Sequence, residues 1–379
     1  MTSNEEWESM ATLRPPLYMC VRRRVDCTDG EYEPMALDGR IDKDEWAHVP
    51  WSDTFVDIEG PARQAAVDYP LTRFKMMYDD GTLYVGAELR EPKVWGTLTE
   101  KNSVLYHEND FEVFLNPDGS RHEYYELEIN CLNTVWELLL HRPYKDGHSL
   151  VNPYNLHSLR SAVHVDGAVN SPTTTCVRWC IELSWSLAEL GQFNTLRFVQ
   201  SPSTRTAPRH PVATQIWRVN FSRVQYELET VERAYKKVAG TSEQNIVWAP
   251  TGVIDIHRPE KWGYVFFSTH TDLVRATREF ARTHKAQLDH QMALERILDA
   301  VYYKQRAFHA LDGTFASTLD RLDARFPTRP VTDLLQQPEA HAPVLTIETT
   351  RENERYVATV QSRTQTWHVT HDGRLWRTA

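Results

Sequence analysis

A chain of 379 residues with 52 Asp and Glu against 42 Lys and Arg carries a formal net charge of −10 and can bury a large core. Its basic residues are scattered, and the one tight cluster, Arg22 to Arg24, is too short to serve nucleic acid. No segment approaches the ~20 apolar residues of a membrane span, and the 12 Trp supply more rings than a core ordinarily uses.

The opening stretch "MTSNEEWESMATLRPP" is acidic and lacks the apolar run of a secretory signal, which points to the cytoplasm. Five cysteines fit reduced thiols in that compartment. Cys176 and Cys180 lie in an alternating run, where an i, i+4 pair would be ~13 Å apart and could not bridge.

Residues 1–29 read as an N-terminal extension and residues 30–270 as a β unit. The first element of that unit is a short helix over Asp42 to His48. "FKMMYDDGTLYVGAELRE" then gives two strands joined at Asp80-Gly81, a strong hairpin signal. "NDFEVFLNPDGSRHEYYELEIN" is a second hairpin, broken by the turn from Asn116 to Gly119. In "TTTCVRWCIELSW" the residues Val177, Trp179, Ile181, Leu183 and Trp185 form one apolar face, and a short helix follows near Leu187. "IWRVNFSRVQY" and "WGYVFFS" are further strands. Short strands at close spacing with Pro, Gly and Asp turns predict a mainly β fold, a sandwich or barrel.

Beyond residue 270 the period changes. Leu294, Ile297, Leu298, Val301, Tyr302, Gln305 and Phe308 follow helical spacing, and Gly313 stands where a helix would stop. One long helix is expected from about Thr271 to Leu311. A Pro-rich connection (Pro327, Pro330, Pro338, Pro343) leads to three antiparallel strands, "PVLTIETTR", "RYVATVQSR" and "TWHVTHDGRLWR". Residues 271–379 therefore read as a C-terminal α+β domain of long helix and small sheet, and the sequence names no partner for it.

The second hairpin carries the candidate site. Read with a period of two, Asp110 and Glu112 fall on one side of the first strand, and Tyr124, Glu126, Glu128 and Asn130 on one side of the second. A polar face on an antiparallel sheet is commonly just the wet side. Clustered carboxylates also admit a calcium ion, but without EF-hand spacing, so the metal stays open. Glu126 and Glu128, ~7 Å apart along a strand, would also meet the spacing a glycosidase needs. Among the histidines, His107, His122, His257 and His270 are the candidates, yet no metalloprotease, Cys-x-x-Cys, phosphate-loop or nucleophile-elbow pattern occurs.

The β unit resembles family 9 carbohydrate-binding modules, and more closely the stand-alone proteins similar to them. The residues that carry the likeness are "LDGRIDKDEWAHVPWSDTFVDIEG", "YDDGTLYVGAELREPKVW", "NDFEVFLNPDG", "YYELEINCLNTVWELLL", "AVHVDGAVN", "WCIELSW", "WRVNFSRVQY" and "VWAPTGVIDIHRPEKWGYVFF", in that order over roughly residues 36 to 268. The resemblance implies an antiparallel jelly-roll β-sandwich and a site for the end of a sugar chain, held between two tryptophans with polar side chains on its hydroxyls. By position, Tyr106 stands for the first of those tryptophans and His257 for or beside the second. Glu112 matches the family's acid, Glu128 stands where the family has an arginine, and Asn130 matches an adjacent amide. Asp110 and Glu126 belong to the same face, and Asn109 next to it is counted among the ligand-binding candidates. Trp95 and Trp136, which end or follow strands near it, are open to either ligand or core. The resemblance adds that some relatives hold structural calcium; no other cofactor is expected.

The reading is non-catalytic binding of an oligosaccharide or glycan end, with a link to carbohydrate breakdown through the enzymes such modules accompany. Two alternatives remain: an interaction module that keeps the sandwich without sugar binding, and a glycoside-processing hydrolase using Glu126, Glu128 or Glu112.

Overall fold

The structure, a computed structural model, describes residues 2–24, 34–60, 63, 69–147, 149–192 and 216–378. Its strands in chain order begin with β1 (Leu17–Arg22), β2 (Val56–Asp57), β3 (Thr72–Tyr78), β4 (Thr82–Arg90) and β5 (Asp110–Asn116). There follow β6 (Tyr124–Asn130), β7 (Val135–Arg142), β8 (Ser149–Val151), β9 (Arg160–Asp166) and β10 (Arg178–Ser186). Next come β11 (Ile216–Gln225), β12 (Leu228–Val231), β13 (Ala234–Lys237), β14 (Gln244–Val247) and β15 (Gly263–Phe267). The last four are β16 (Val344–Thr349), β17 (Tyr356–Gln361), β18 (Thr366–Thr370) and β19 (Leu375–Thr378).

Both expected hairpins form. The β3–β4 pair turns at Asp79, whose carboxylate accepts from the Gly81 and Thr82 amides. The β5–β6 pair turns through Gly119, at φ +66°. Together they anchor the two arms of one long curled sheet, ordered β8-β7-β6-β5-β11-β15-β1-β3-β4-β10-β9. The arms stack face to face as a β-sandwich. Phe74 of β3 meets Phe221 of β11 with ring centroids 4.0 Å apart. Val85, Leu89, Ile181 and Leu183 from one arm share a buried cluster with Phe111, Val113, Leu127 and Ile129 from the other. The link between arms is β1, which pairs in parallel with β15 on one side and with β3 on the other. Trp179, Ile181, Leu183 and Trp185 of β10 point inward as their alternation requires, whereas Val177, just before the strand, is exposed.

The single long helix expected after residue 270 is two, Leu273–Thr283 and Lys285–Asp312, broken at His284. The packing partner changes one turn past the break. Phe280 and Leu288 pack on Tyr264 and Phe266 of β15. Leu294, Ile297, Leu298 and Val301 instead pack on the terminal sheet and on Trp7 and Met10 of the helix Ser3–Met10. The helix ends at Gly313, as predicted, at φ +70°. The terminal sheet has four strands rather than three, because Asp372-Gly373 is the turn of a β18–β19 hairpin within "TWHVTHDGRLWR". Two short helices, Leu319–Arg325 and Val331–Leu335, occupy the Pro-rich connection.

The sandwich and the C-terminal unit meet through buried charge. Arg121, in the β5–β6 turn region, pairs with Asp299 at 2.6 Å, and Arg218 of β11 pairs with Glu295. Arg306 reaches Asp146 at 2.8 Å, and the Tyr303 hydroxyl donates to Glu260. Among these side chains only Arg306 keeps appreciable exposure.

Candidate functional site

Strand alternation puts Phe111, Val113, Leu115, Tyr125, Leu127 and Ile129 into the sandwich. The opposite face of β5, β6 and β7 carries the acids. Asp110 stands opposite Asn130, Glu112 opposite Glu128, and Phe114 opposite Glu126 across the β5–β6 pair. Glu128 in turn faces Trp136 on β7, and Glu112 faces Ser222 on β11.

This face is not the wet side of a sheet. Asp110 is 0 % exposed, Glu112 6 %, Glu126 4 % and Glu128 1 %. The reason is the other residues on the same side: Phe114, Tyr124, Trp136, Leu138 and Leu140 need cover. They receive it from Leu105 and Trp262, with Ile256, Leu98 and Val104 packed around them. The cover closes over the carboxylates as well.

Each acid is partly held. The Tyr106 amide donates to Glu128 Oε2 at 2.9 Å, and the Val224 amide to Asp110 Oδ1 at 3.2 Å. Ser222 hydrogen-bonds the Glu112 carboxylate. Asp110 Oδ2 and Glu126 Oε2 are buried with no hydrogen-bond partner. One carboxylate oxygen from each of Asp110, Glu112 and Glu128 lies within 4.8 Å of the other two. No Lys or Arg among the described residues forms an ion pair with any of the four acids. Burial, and then the Glu112 charge, pushes Asp110 and Glu126 well above the usual carboxylate range. Glu128 is raised by burial and by the charges of Asp110, Glu112 and Glu126, and burial lifts Glu112 to about 7.

Rings border this floor. Tyr106, in the short turn Leu105–His107, is 45 % exposed, and its ring lies 6.1 Å from that of Trp136. Tyr144 is 42 % exposed and meets the half-buried His257 edge-on at 4.6 Å. Its hydroxyl is pushed up to about 12 by burial and then by the charges of Glu126 and Glu128. His257 Nδ1 shares a 2.8 Å hydrogen bond with the Tyr124 hydroxyl, and burial lowers the imidazole to about 4, so it stands neutral. An open cleft of about 500 Å³ adjoins the Tyr106 turn, lined by Trp95, Thr97, Leu98, Ser103, Val104, His107 and Glu108.

The candidates thus divide. Asp110, Glu112, Glu126 and Glu128 form one floor; Tyr106 and His257 stand on its border; Trp95 lines the adjoining cleft. Trp136 is buried, with its indole N–H donated to Asn152 Oδ1 at 2.9 Å. Both amides are occupied in building loops. Asn130 Oδ1 accepts from the Leu132 and Thr134 amides while its Nδ2 donates to the Leu98 carbonyl. Asn109 Oδ1 accepts from the Tyr226 amide at 2.8 Å. The sequence reading missed Tyr144; its signal is an aromatic residue placed in a Pro–Gly turn just after a strand of the acidic face. His107 lines the cleft, while His122 and His270 lie elsewhere: His122 hydrogen-bonds the Asp372 carbonyl, and the His270 carbonyl accepts from the Arg22 amide.

Chemically the site offers hard oxygen donors at its floor and exposed aromatic faces above. That combination suits a hydroxyl-rich ligand with an apolar face, or a cation.

Comparison with known proteins bears on residues 37–146, which match the sequence model of the "Carbohydrate family 9 binding domain-like" family. No curated protein matches the chain. Among solved structures, the chain is similar to a putative carbohydrate-binding protein from Bacteroides uniformis ATCC 8492, at 12% identity and a TM-score of 0.44 over 67% of this chain and 100% of that one. It is also similar to a carbohydrate binding module family 9 protein from Caldicellulosiruptor kristjanssonii. The glucose complex gives 16% identity and a TM-score of 0.38 over 67% of this chain and 96% of that one. The cellotriose complex gives 15% and 0.39 over 67% and 94%.

Proposed function

We propose, from the premise that residues 37–146 belong to the carbohydrate family 9 binding domain-like family, that this face of the sandwich binds a carbohydrate. The observation that carries the reading is a pair of exposed rings bordering the acidic face: Tyr106, whose amide donates to Glu128, and Tyr144, whose neighbour His257 bonds Tyr124 of that face. A pyranose presents an apolar face of C–H groups that lies on an aromatic ring, and a rim of hydroxyls that needs acceptors. Tyr106 and Tyr144 supply the first, and their own hydroxyls, at the rim of the covered acids, supply the second. The ligand is an oligosaccharide or glycan end, bound without turnover: the acids lie under the rim, almost closed to solvent, where a scissile bond does not reach them.

The test is calorimetry of the full chain with ligands selected on a glycan array. Tyr106→Ala is expected to weaken binding by about 1–3 kcal/mol, the scale of a lost ring contact. A wild type that binds no glycan, or a Tyr106→Ala variant of unchanged affinity, overturns the assignment.

A further inference from the structure

We propose that Asp110, Glu112 and Glu128 bind a divalent cation of the calcium class at the floor of this face. Three observations carry it, and none depends on the sugar.

The first is geometry. One oxygen from each side chain lies within 4.8 Å of the other two. Oxygens around calcium sit at about 2.3–2.6 Å, so its coordination sphere spans up to about 5 Å, and three oxygens at this separation can share one ion. The donors are all carboxylates, with no imidazole or thiolate among them, which selects a hard cation over zinc or copper. Each of the three also accepts one hydrogen bond from the protein, from the Tyr106 amide, the Val224 amide and Ser222 respectively for Glu128, Asp110 and Glu112, which holds the side chains in place.

The second is charge. Glu112 and Glu128 are in register across β5 and β6, and Asp110 is two residues from Glu112 on the same side. All are out of solvent, and none has an ion-pair partner among the described residues. Buried carboxylates are normally paired or bound to a metal.

The third is Glu126. It is 4 % exposed, lies on the same side of β6 two residues from Glu128, and its Oε2 has no hydrogen-bond partner; neither has Asp110 Oδ2. Orphaned buried acceptors are rare in folded proteins. A cation at the centre of the three ligands satisfies Asp110 and neutralises the field on Glu126, which then acts as a fourth, longer-range partner. The site is too enclosed for a pyranose to reach its floor, but a bare ion needs far less room.

The experiment uses the full chain, stripped with EDTA and dialysed. Calorimetric titration with calcium chloride alone is expected to show one site, and Glu128→Gln and Asp110→Asn each to weaken it at least tenfold. Thermal melts give the second readout. Calcium should raise the wild-type midpoint by several degrees and leave that of Glu128→Gln unmoved, while in EDTA Glu128→Gln should melt higher than wild type because a repelling charge is gone. Absence of calcium binding by the wild type, or calcium binding and stabilisation that survive undiminished in both variants, overturns the proposal. Glycan binding is scored separately in EDTA and in calcium, so a failed sugar reading leaves the cation result standing, and the reverse.

Discussion

Glu112 on β5 stands directly opposite Glu128 on β6, two carboxylates in register on the covered side of an antiparallel pair. Like charges in that position oppose strand pairing. The strands pair regardless, because Val113, Leu127, Phe111 and Ile129 on the reverse side are fully buried in the sandwich.

The first prediction concerns pH. Glu112 stands at about 7 in the folded protein, above its ordinary carboxylate value. The folded state therefore holds a proton that the unfolded chain has released, and stability is lost as pH rises from the unfolded value through about 7. Glu112→Gln cannot lose that proton. Its stability relative to wild type should grow between pH 4.5 and pH 8, roughly the window set by the two values. Urea titrations in EDTA across that range check it; a pH-independent difference would show that Glu112 is ionised throughout.

The second concerns the exposed ring that periodicity did not single out. Tyr144→Ala should weaken glycan binding on the same scale as Tyr106→Ala, roughly 1–3 kcal/mol, with little change in melting temperature because the ring is 42 % exposed. Affinity unchanged in Tyr144→Ala but lost in Tyr106→Ala would confine the ligand to the cleft beside Trp95.

The third concerns the charged seam between the sandwich and the C-terminal unit. Asp299→Ala leaves Arg121 buried without its 2.6 Å partner and should cost about 3–5 kcal/mol. The double variant Arg121→Met, Asp299→Leu should cost less than that single one, since both charges go together. Equilibrium unfolding of the two settles it, and a double variant worse than the single would mean that the pair itself is net stabilising.

The fourth follows from the same seam. A fragment ending at residue 270 lacks Glu295 and Asp299, so Arg218 and Arg121 lose their carboxylates. It should melt well below the full chain, and an equal midpoint would show that the sandwich is indifferent to its neighbour.

The fifth is steric. A Cβ on Gly263 would come within 2.3 Å of the Trp248 ring. Gly263→Ala should cost about 1–3 kcal/mol by overpacking, read as a lowered denaturation midpoint.

Much of this was legible in the chain. Turn chemistry at Asp80-Gly81 and at Asn116 to Gly119 marked both hairpins, and the period of two separated Val113 and Leu127 from Glu112 and Glu128. What local pattern does not carry is the cover. The acids look solvated because their cover, Leu105 from the turn just before β5 and Trp262 from far along the chain, leaves no mark on the strand pattern itself. The role of Asn109 as a loop brace is likewise set by Tyr226, far along the chain, and Leu98 adds a remote partner to the turn that Asn130 closes with Leu132 and Thr134. The break at His284 lies between two stretches of helical period and shows only when Phe280 and Leu294 are seen to pack on different surfaces.

The parallel strand β1 has a consequence for how the protein is made. Leu17 to Cys20 pair with Tyr264 to Phe267, while Val21 and Arg22 pair with Met77 and Tyr78. The strand made earliest therefore waits for one made near the end of the sandwich. During synthesis β1 can pair with β3 through only two residues, and its Leu17 to Cys20 edge remains open until β15 leaves the ribosome. Long-range pairing of this kind is slow and exposes unpaired edges. The seam that joins the two arms is the last to close, and the nascent chain is most prone to aggregate in the interval before it does.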